Sequence, residues 1–157
     1  MSTEIKIHKD YSICAECKGK CCVYMPGCYS PEDFDNNITE ELIRSLLDSG
    51  KVSIDWWEGN PSNPDDWSIS GYYLRPRIQG AEIVHPSFGG KCINWTFEKG
   101  CELIEEKRPY QCRMLIPDKN QRNCDTLPED KATKQDIAVK WLPYNNLFKK
   151  IIKDYEE

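Results

Sequence analysis

The nine cysteines are the most chemically reactive residues of the sequence, and they fall into two blocks. The first block consists of Cys14, Cys17, Cys21, Cys22 and Cys28, and the second of Cys92, Cys101, Cys112 and Cys124. Residues 29–91 between the blocks contain no cysteine. Thiolates bind zinc and iron–sulfur clusters, so this distribution predicts a metal site whose ligands come from two distant parts of the chain. Such a site would close a loop of about seventy residues and contribute to folding.

The first block has the spacing of a local chelate. The pattern Cys14-x-x-Cys17 lets two sulfurs converge on one metal centre across a tight turn, and Cys21 follows closely enough to join them. Neighbouring side chains point apart, so adjacent Cys21 and Cys22 are not expected to bind the same atom. One of them is expected to serve a second site or to pack in the core. For Cys22 and Cys28 taken alone, a small buried hydrophobic residue is an equally good interpretation.

The second block has gaps that are too long for a local chelate. Its sulfurs are therefore expected on separate turns, built by residues such as Gly100 and Pro109. His8 and His85 are the only histidines. Either could replace a thiolate, although His85 precedes Pro86 in a predicted turn and is better interpreted as a surface residue.

The cysteine contexts also resemble a known family. The matching pattern is Cys14-x-x-Cys17-x-x-x-Cys21-Cys22, then Cys92, Gly100-Cys101 and Arg108-Pro109-x-x-Cys112-Arg113. It resembles the YkgJ-type cysteine-cluster proteins, a zinc- or iron-chelating domain, over about residues 10–30 and 90–115. It is also similar to the cysteine-rich part of flagellin lysine methylases, which are associated with a 4Fe–4S cluster.

The resemblance implies a specific set of metal ligands. These are the seven cysteines of the shared pattern: Cys14, Cys17, Cys21, Cys22, Cys92, Cys101 and Cys112. Arg108 and Arg113 flank Cys112 and would neutralise cluster charge or donate hydrogen bonds to its sulfurs. The alternative for the two arginines is an ordinary solvated turn. Cys28 and Cys124 lie outside the pattern and are candidates for additional ligands.

The spacing favours a 4Fe–4S cluster over zinc as the cofactor. Structural zinc usually takes two local Cys-x-x-Cys pairs, and this sequence has only one, in the first block. Three functional classes follow. The first is an iron–sulfur protein with a redox, sensing or accessory role, and the second is a zinc-stabilised interaction module. The third is an enzyme similar to the lysine methylases, or the partner of one, but no sequence motif identifies catalytic residues.

Composition sets further expectations. The chain has 157 residues, of which 39% are hydrophobic and 30% charged, so its core is thin and would gain from a metal staple. The net charge of −5 and the absence of a basic run predict no nucleic-acid partner; a protein partner stays open. No apolar run approaches the length of a membrane span, and the N-terminal residues lack the apolar core of a signal peptide. A cytoplasmic location is therefore expected, where reduced thiols favour metal binding over a disulfide framework.

We expect one α+β domain, with a large irregular share, organised around the metal site. Within residues 1–157, the ligand blocks would occupy about 10–30 and 90–125, with an aromatic-rich insert at 31–91 and C-terminal helices at about 133–156. Helices are predicted from Pro31, from Thr39 to Gly50, and from Thr133 to about Leu142. Pro143 stops or kinks the last of these, and a second stripe of apolar residues with helical spacing then continues to the C-terminus. Strands are predicted at 51–57 and 71–78, joined by a loop over 58–66.

Five aromatic residues crowd the central segment of the sequence: Trp56, Trp57, Trp67, Tyr72 and Tyr73. Such residues could form a recognition surface, since Trp and Tyr anchor interfaces. In a domain of this size they more often build the core, and that is the interpretation we favour.

Overall fold

The computed structural model describes residues 27–84, 91–96, 100–101, 103, 107–114 and 133–156. Over these residues the chain combines α-helices with small antiparallel sheets, as the predicted α+β class requires. The strands are β1 (Val52–Trp57), β2 (Gly71–Pro76), β3 (Trp95–Thr96) and β4 (Gly100–Cys101). The α-helices are α1 (Glu40–Asp48), α2 (Tyr110–Met114), α3 (Lys134–Trp141) and α4 (Asn145–Glu156). Single 3-10 helical turns cover Pro31–Phe34 and Leu142–Tyr144.

The first two helical segments begin at the residues that the sequence indicates. Ser30 and Asp33 form a reciprocal cap, in which the Ser30 backbone N–H donates to the Asp33 carboxylate at 2.9 Å. The helix from Pro31 is confirmed only as one 3-10 turn, because Asp35 adopts a left-handed conformation (φ 55°) and ends it. The prediction for α1 is confirmed, with Thr39 Oγ1 accepting from the Leu42 N–H at 3.1 Å.

Strands β1 and β2 confirm the two predicted strands, and the structure pairs them as an antiparallel hairpin. They pair along their whole length, with Val52 opposite Pro76 and Trp57 opposite Gly71. Gly71 lies so close to Pro61 that an added Cβ would stand 2.8 Å from the proline Cγ. The intervening loop therefore folds back onto the start of β2.

The C-terminal helices cover this hairpin and complete the core. Thr133 caps α3, and Pro143 lies in the 3-10 turn that separates α3 from α4, as expected from its missing N–H. Trp141 is fully buried, its ring centroid lies 5.6 Å from that of Phe148, and its indole N–H donates to the Tyr29 carbonyl at 2.8 Å. The core thus lies between the hairpin, α1 and the C-terminal helices.

The aromatic residues of the hairpin divide between core and surface. Tyr73 is fully buried, and Trp57 and Tyr72 pack against the core, which confirms the core interpretation for these three. That interpretation is wrong for Trp67, which is 74% exposed. Its ring lies instead over Gly59, 3.1 Å from where a Cβ on that glycine would stand.

Candidate metal centre

The end of the first cysteine block lies against helix α2 of the second. The Cys28 N–H donates to the Gln111 Oε1 at 2.9 Å, and the Gln111 N–H donates to the Cys28 carbonyl at 3.2 Å. One residue earlier, a Cβ on Gly27 would stand only 2.4 Å from the Cys112 sulfur. The Gly27 backbone therefore lies directly against that sulfur, and the structure brings together segments that are more than eighty residues apart.

Further hydrogen bonds fix both sides of this contact to the rest of the fold. The Tyr110 N–H at the start of α2 donates to the Asp33 carboxylate at 2.8 Å, and the Tyr29 N–H donates to the Leu74 carbonyl of β2 at 2.9 Å. From α3, the Lys140 ammonium lies 4.2 Å from the centroid of the Tyr110 ring. Helix α2 is thus held at Tyr110 by Asp33, which precedes it by 77 residues, and by Lys140 of α3.

Cys92 and Cys101 belong to one small β-structure. Cys92 is buried, forms an isolated antiparallel bridge with Ile78, and its carbonyl accepts from the Trp95 N–H at 2.9 Å. The side-chain amide of Gln79 donates to the same carbonyl at 3.1 Å. Cys101 lies in β4 directly opposite Trp95, the residue whose N–H donates to the Cys92 carbonyl.

Strand β2 and its continuation hold segments of both blocks. Tyr29 bonds to the Leu74 carbonyl, and the Ile93 N–H donates to the Arg77 carbonyl at 2.8 Å. Leu74 and Arg77 are three residues apart, and an extended chain of that length spans at most about 11 Å. Tyr29 and Ile93, which directly follow Cys28 and Cys92, therefore bond to two residues of one chain segment that lie at most about 11 Å apart.

Cys28 itself has the surroundings of a core residue. It is 3% exposed and carries a thiol rather than half of a disulfide. Burial, and after it the nearby Asp55 charge, raise the pKa of the Cys28 thiol to about 12 against the opposing effect of Lys134 and Arg75. The thiol is protonated at neutral pH, whereas metal binding needs the thiolate. These surroundings favour the core interpretation, and a ligand role for Cys28 stays a prediction.

A buried ion cluster, formed by Asp55, Tyr73, Arg75 and Lys134, lies beside Cys28. The Asp55 Oδ2 accepts from the Tyr73 hydroxyl at 2.8 Å and from the Arg75 Nε at 3.1 Å, and the Lys134 ammonium lies 3.9 Å away. Asp55 and Arg75 are almost completely buried. The residue pattern did not predict this cluster. The available signal was one acid and one base inside two otherwise apolar strands, VSIDWW and GYYLRP.

The surroundings of Cys112 differ in part from the predictions. Cys112 lies on helix α2 and not on a turn, because the helix begins immediately after Pro109, and Cys101 lies in a strand. The Arg108 Nε donates to the Leu103 carbonyl at 3.0 Å, so Arg108 contributes to the turn before α2. Arg113 lies next to Cys112 in the same helix, and the effect of both arginines on a cluster stays a prediction.

Much of the predicted ligand set lies outside the described residues: Cys14, Cys17, Cys21, Cys22 and Cys124, together with His8 and His85. Within the described part of the chain, no group of three or more His, Cys, Asp or Glu side chains is arranged to hold a metal ion. The helices of that part include none with the length and hydrophobicity needed to cross a membrane. No family model, no curated protein and no solved structure matches the chain.

Proposed function

We propose that this chain is a metal-binding protein that holds a 4Fe–4S cluster and has a redox, sensing or accessory role. The proposed ligands are Cys14, Cys17, Cys21, Cys22, Cys92, Cys101 and Cys112, as the resemblance to the YkgJ-type proteins implies. The observation that carries the proposal is the contact between the Gly27 backbone and the Cys112 sulfur. It joins the end of the first block to a proposed ligand of the second.

The contact fits a sulfur-ligated group for a steric reason. Any side chain at position 27 would collide with the Cys112 sulfur. Glycine, which has no side chain, leaves room for that atom. Gly27 also follows the adjacent pair Cys21-Cys22 by only a few residues. A thiolate donor set with this close approach is compatible with an iron–sulfur cluster or with zinc.

The elements that carry the second block favour the cluster over zinc. Cys92 lies at an isolated bridge, Cys101 in a strand and Cys112 on a helix, and none of them shares a Cys-x-x-Cys turn with another cysteine. Structural zinc sites usually take their ligands from two such turns, whereas a cubane spreads its ligands over a larger volume. When bound, the cluster would supply one-electron redox chemistry and a cross-link between the blocks.

Anaerobic purification followed by a visible spectrum and metal analysis tests the proposal. We expect broad absorption near ~400 nm together with iron and acid-labile sulfide. Colourless protein with stoichiometric zinc would instead select a zinc-stabilised interaction module. Metal-free protein with several disulfides would contradict both.

Cysteine variants test whether the two blocks share one site. Cys17→Ser and Cys112→Ser are each expected to lower metal content and thermal stability, because each removes a ligand from a centre that links distant segments. The comparison variant is Cys28→Ala, which removes a buried thiol of the first block outside the proposed set of seven ligands. It should retain the metal, and a loss of metal would add Cys28 to the ligands. Unchanged metal loading in both serine variants would argue against a shared site.

A further inference from the structure

We propose that Gln111 and Gly27 are the positioning residues that fix the Cys112 sulfur against the end of the first cysteine block. Together with Cys28 and Cys112 they form a unit that we call the clasp. Its consequence for metal binding rests on the proposed function. Its geometry does not, because the hydrogen bonds and contacts that define it involve protein atoms alone.

The hydrogen bonds of the clasp satisfy both backbone groups of Cys28. Gln111 offers a donor, its backbone N–H at 3.2 Å, and an acceptor, its side-chain Oε1 at 2.9 Å, as a neighbouring strand would. Cys28 is 3% exposed, and buried backbone groups need such partners. A residue without a side-chain acceptor at 111 would leave the Cys28 N–H without this partner. The side chain of Gln111 therefore holds helix α2 in place.

The position of Gln111 in the sequence transmits this constraint to the proposed ligand. Gln111 immediately precedes Cys112, so fixing the backbone of one limits where the other can place its sulfur. The sulfur lies against Gly27, and a Cβ there would stand 2.4 Å from it and 3.1 Å from the Cys112 backbone nitrogen. Gly27 is not among the glycines with positive φ. The close approach, and not a left-handed backbone, is what requires glycine at this position.

The test compares two disruptive variants with a conservative one. Gln111→Leu removes the side-chain acceptor and Gly27→Ala inserts the colliding Cβ, whereas Gln111→Glu retains an acceptor oxygen. The matched controls are Gln135→Leu, which removes a side-chain amide bonded to the Pro61 carbonyl at 2.9 Å, and Gly71→Ala, which inserts a Cβ 2.8 Å from the Pro61 Cγ instead of against Cys112. Circular dichroism of each variant establishes that it is folded.

The first readout is the alkylation rate of Cys112 in metal-free protein, measured with iodoacetamide and peptide mass spectrometry. We expect a several-fold faster rate in Gln111→Leu and Gly27→Ala, because the sulfur leaves its contact, and a wild-type rate in Gln111→Glu and both controls. The second readout is metal content after anaerobic reconstitution with iron and sulfide, which should fall in the two disruptive variants only. If Gln111→Leu fails to fold, the shorter Gln111→Asn takes its place.

The outcomes separate the clasp from the proposed function. Equal Cys112 alkylation rates in wild type and in both disruptive variants would overturn the clasp, whether or not the wild type binds metal. Wild-type metal content in both folded variants would also overturn it. A wild-type chain that binds no metal, while the variants still show faster alkylation, would support the clasp and reject the proposed function.

Discussion

The buried ion cluster gives the sharpest prediction about stability. Arg75→Met removes the guanidinium and leaves an apolar side chain of similar length in its place. The Asp55 carboxylate, which is 1% exposed, would then still accept hydrogen bonds from the Tyr73 hydroxyl and the Trp56 N–H. Among the described residues, the cation left to pair with it is Lys134, at 3.9 Å. Removing one partner of a buried pair costs about 3–5 kcal/mol, because the other charge is left in a poorly solvated site. We expect the free energy of unfolding to fall by that amount.

A double-mutant cycle tests whether the charge is the cause. Asp55→Asn retains an oxygen for its hydrogen-bond donors but leaves Arg75 as the uncompensated charge, so it should also destabilise. The double variant Asp55→Asn/Arg75→Met contains neither charge. It should be more stable than the sum of the single effects predicts, with a coupling energy of about 1–3 kcal/mol.

Urea unfolding followed by far-ultraviolet circular dichroism measures these differences, since the slope with denaturant also reports whether compactness has changed. The control is Arg44→Met on α1, where the guanidinium pairs with Glu40 at 3.1 Å and with Asp154 in a solvent-accessible position. Its unfolding midpoint should stay close to that of the wild type. A loss below about 1 kcal/mol in Arg75→Met, or additive single effects, would show that the buried charge pair does not couple the two residues.

Two further predictions concern Cys28 and the cap of α3. The Cys28 pKa is raised from 9.0 to about 12, so above pH 9 the unfolded chain releases a proton that the folded chain keeps. The contribution of the thiol to stability is complete below pH 9 and is lost at about 1.4 kcal/mol per pH unit up to about pH 12. In Cys28→Ala the free energy of unfolding should therefore fall less steeply with pH over this range. Equal slopes in the variant and the wild type would contradict this. Thr133→Ala removes the hydroxyl that accepts from the Asp136 N–H at 3.1 Å. The free energy of unfolding should fall by about 1 kcal/mol, which a thermal melt would detect. An unchanged melting temperature, matching the exposed-loop control Ser62→Ala, would show that the cap contributes nothing.

Helices and strands with strong local signals were predictable from the sequence. Thr39 and Thr133 cap their helices through their own side chains, and Pro143 interrupts the C-terminal helical region because it lacks an N–H. These effects act within one or two turns of chain, so neighbouring residues suffice to predict them. The helix predicted from Pro31 is a single 3-10 turn, because a left-handed residue at Asp35 ends it and side-chain type alone does not specify that conformation.

Contacts between distant segments were not predictable in the same way. The aromatic residues looked alike in sequence, yet Tyr73 is buried and Trp67 is exposed, since each depends on what the fold brings to it. Likewise, Asp55 and Arg75 meet only because the register of β1 and β2 places them diagonally across one sheet. Register is decided by the whole hairpin and its packing, and no short segment contains that information.

Nine thiols in two blocks and one local Cys-x-x-Cys pair follow directly from the sequence, and with them the capacity to bind a metal through sulfur. Tertiary structure decided which segments meet. Strand β2 and its continuation hold the residues that follow Cys28 and Cys92, at Leu74 and Arg77, and Gln111 holds the end of the first block on helix α2. These bonds join backbone groups common to almost every residue, except for the one that the Gln111 side chain accepts from the Cys28 N–H. Their partners are therefore selected mainly by the fold and not by side-chain type.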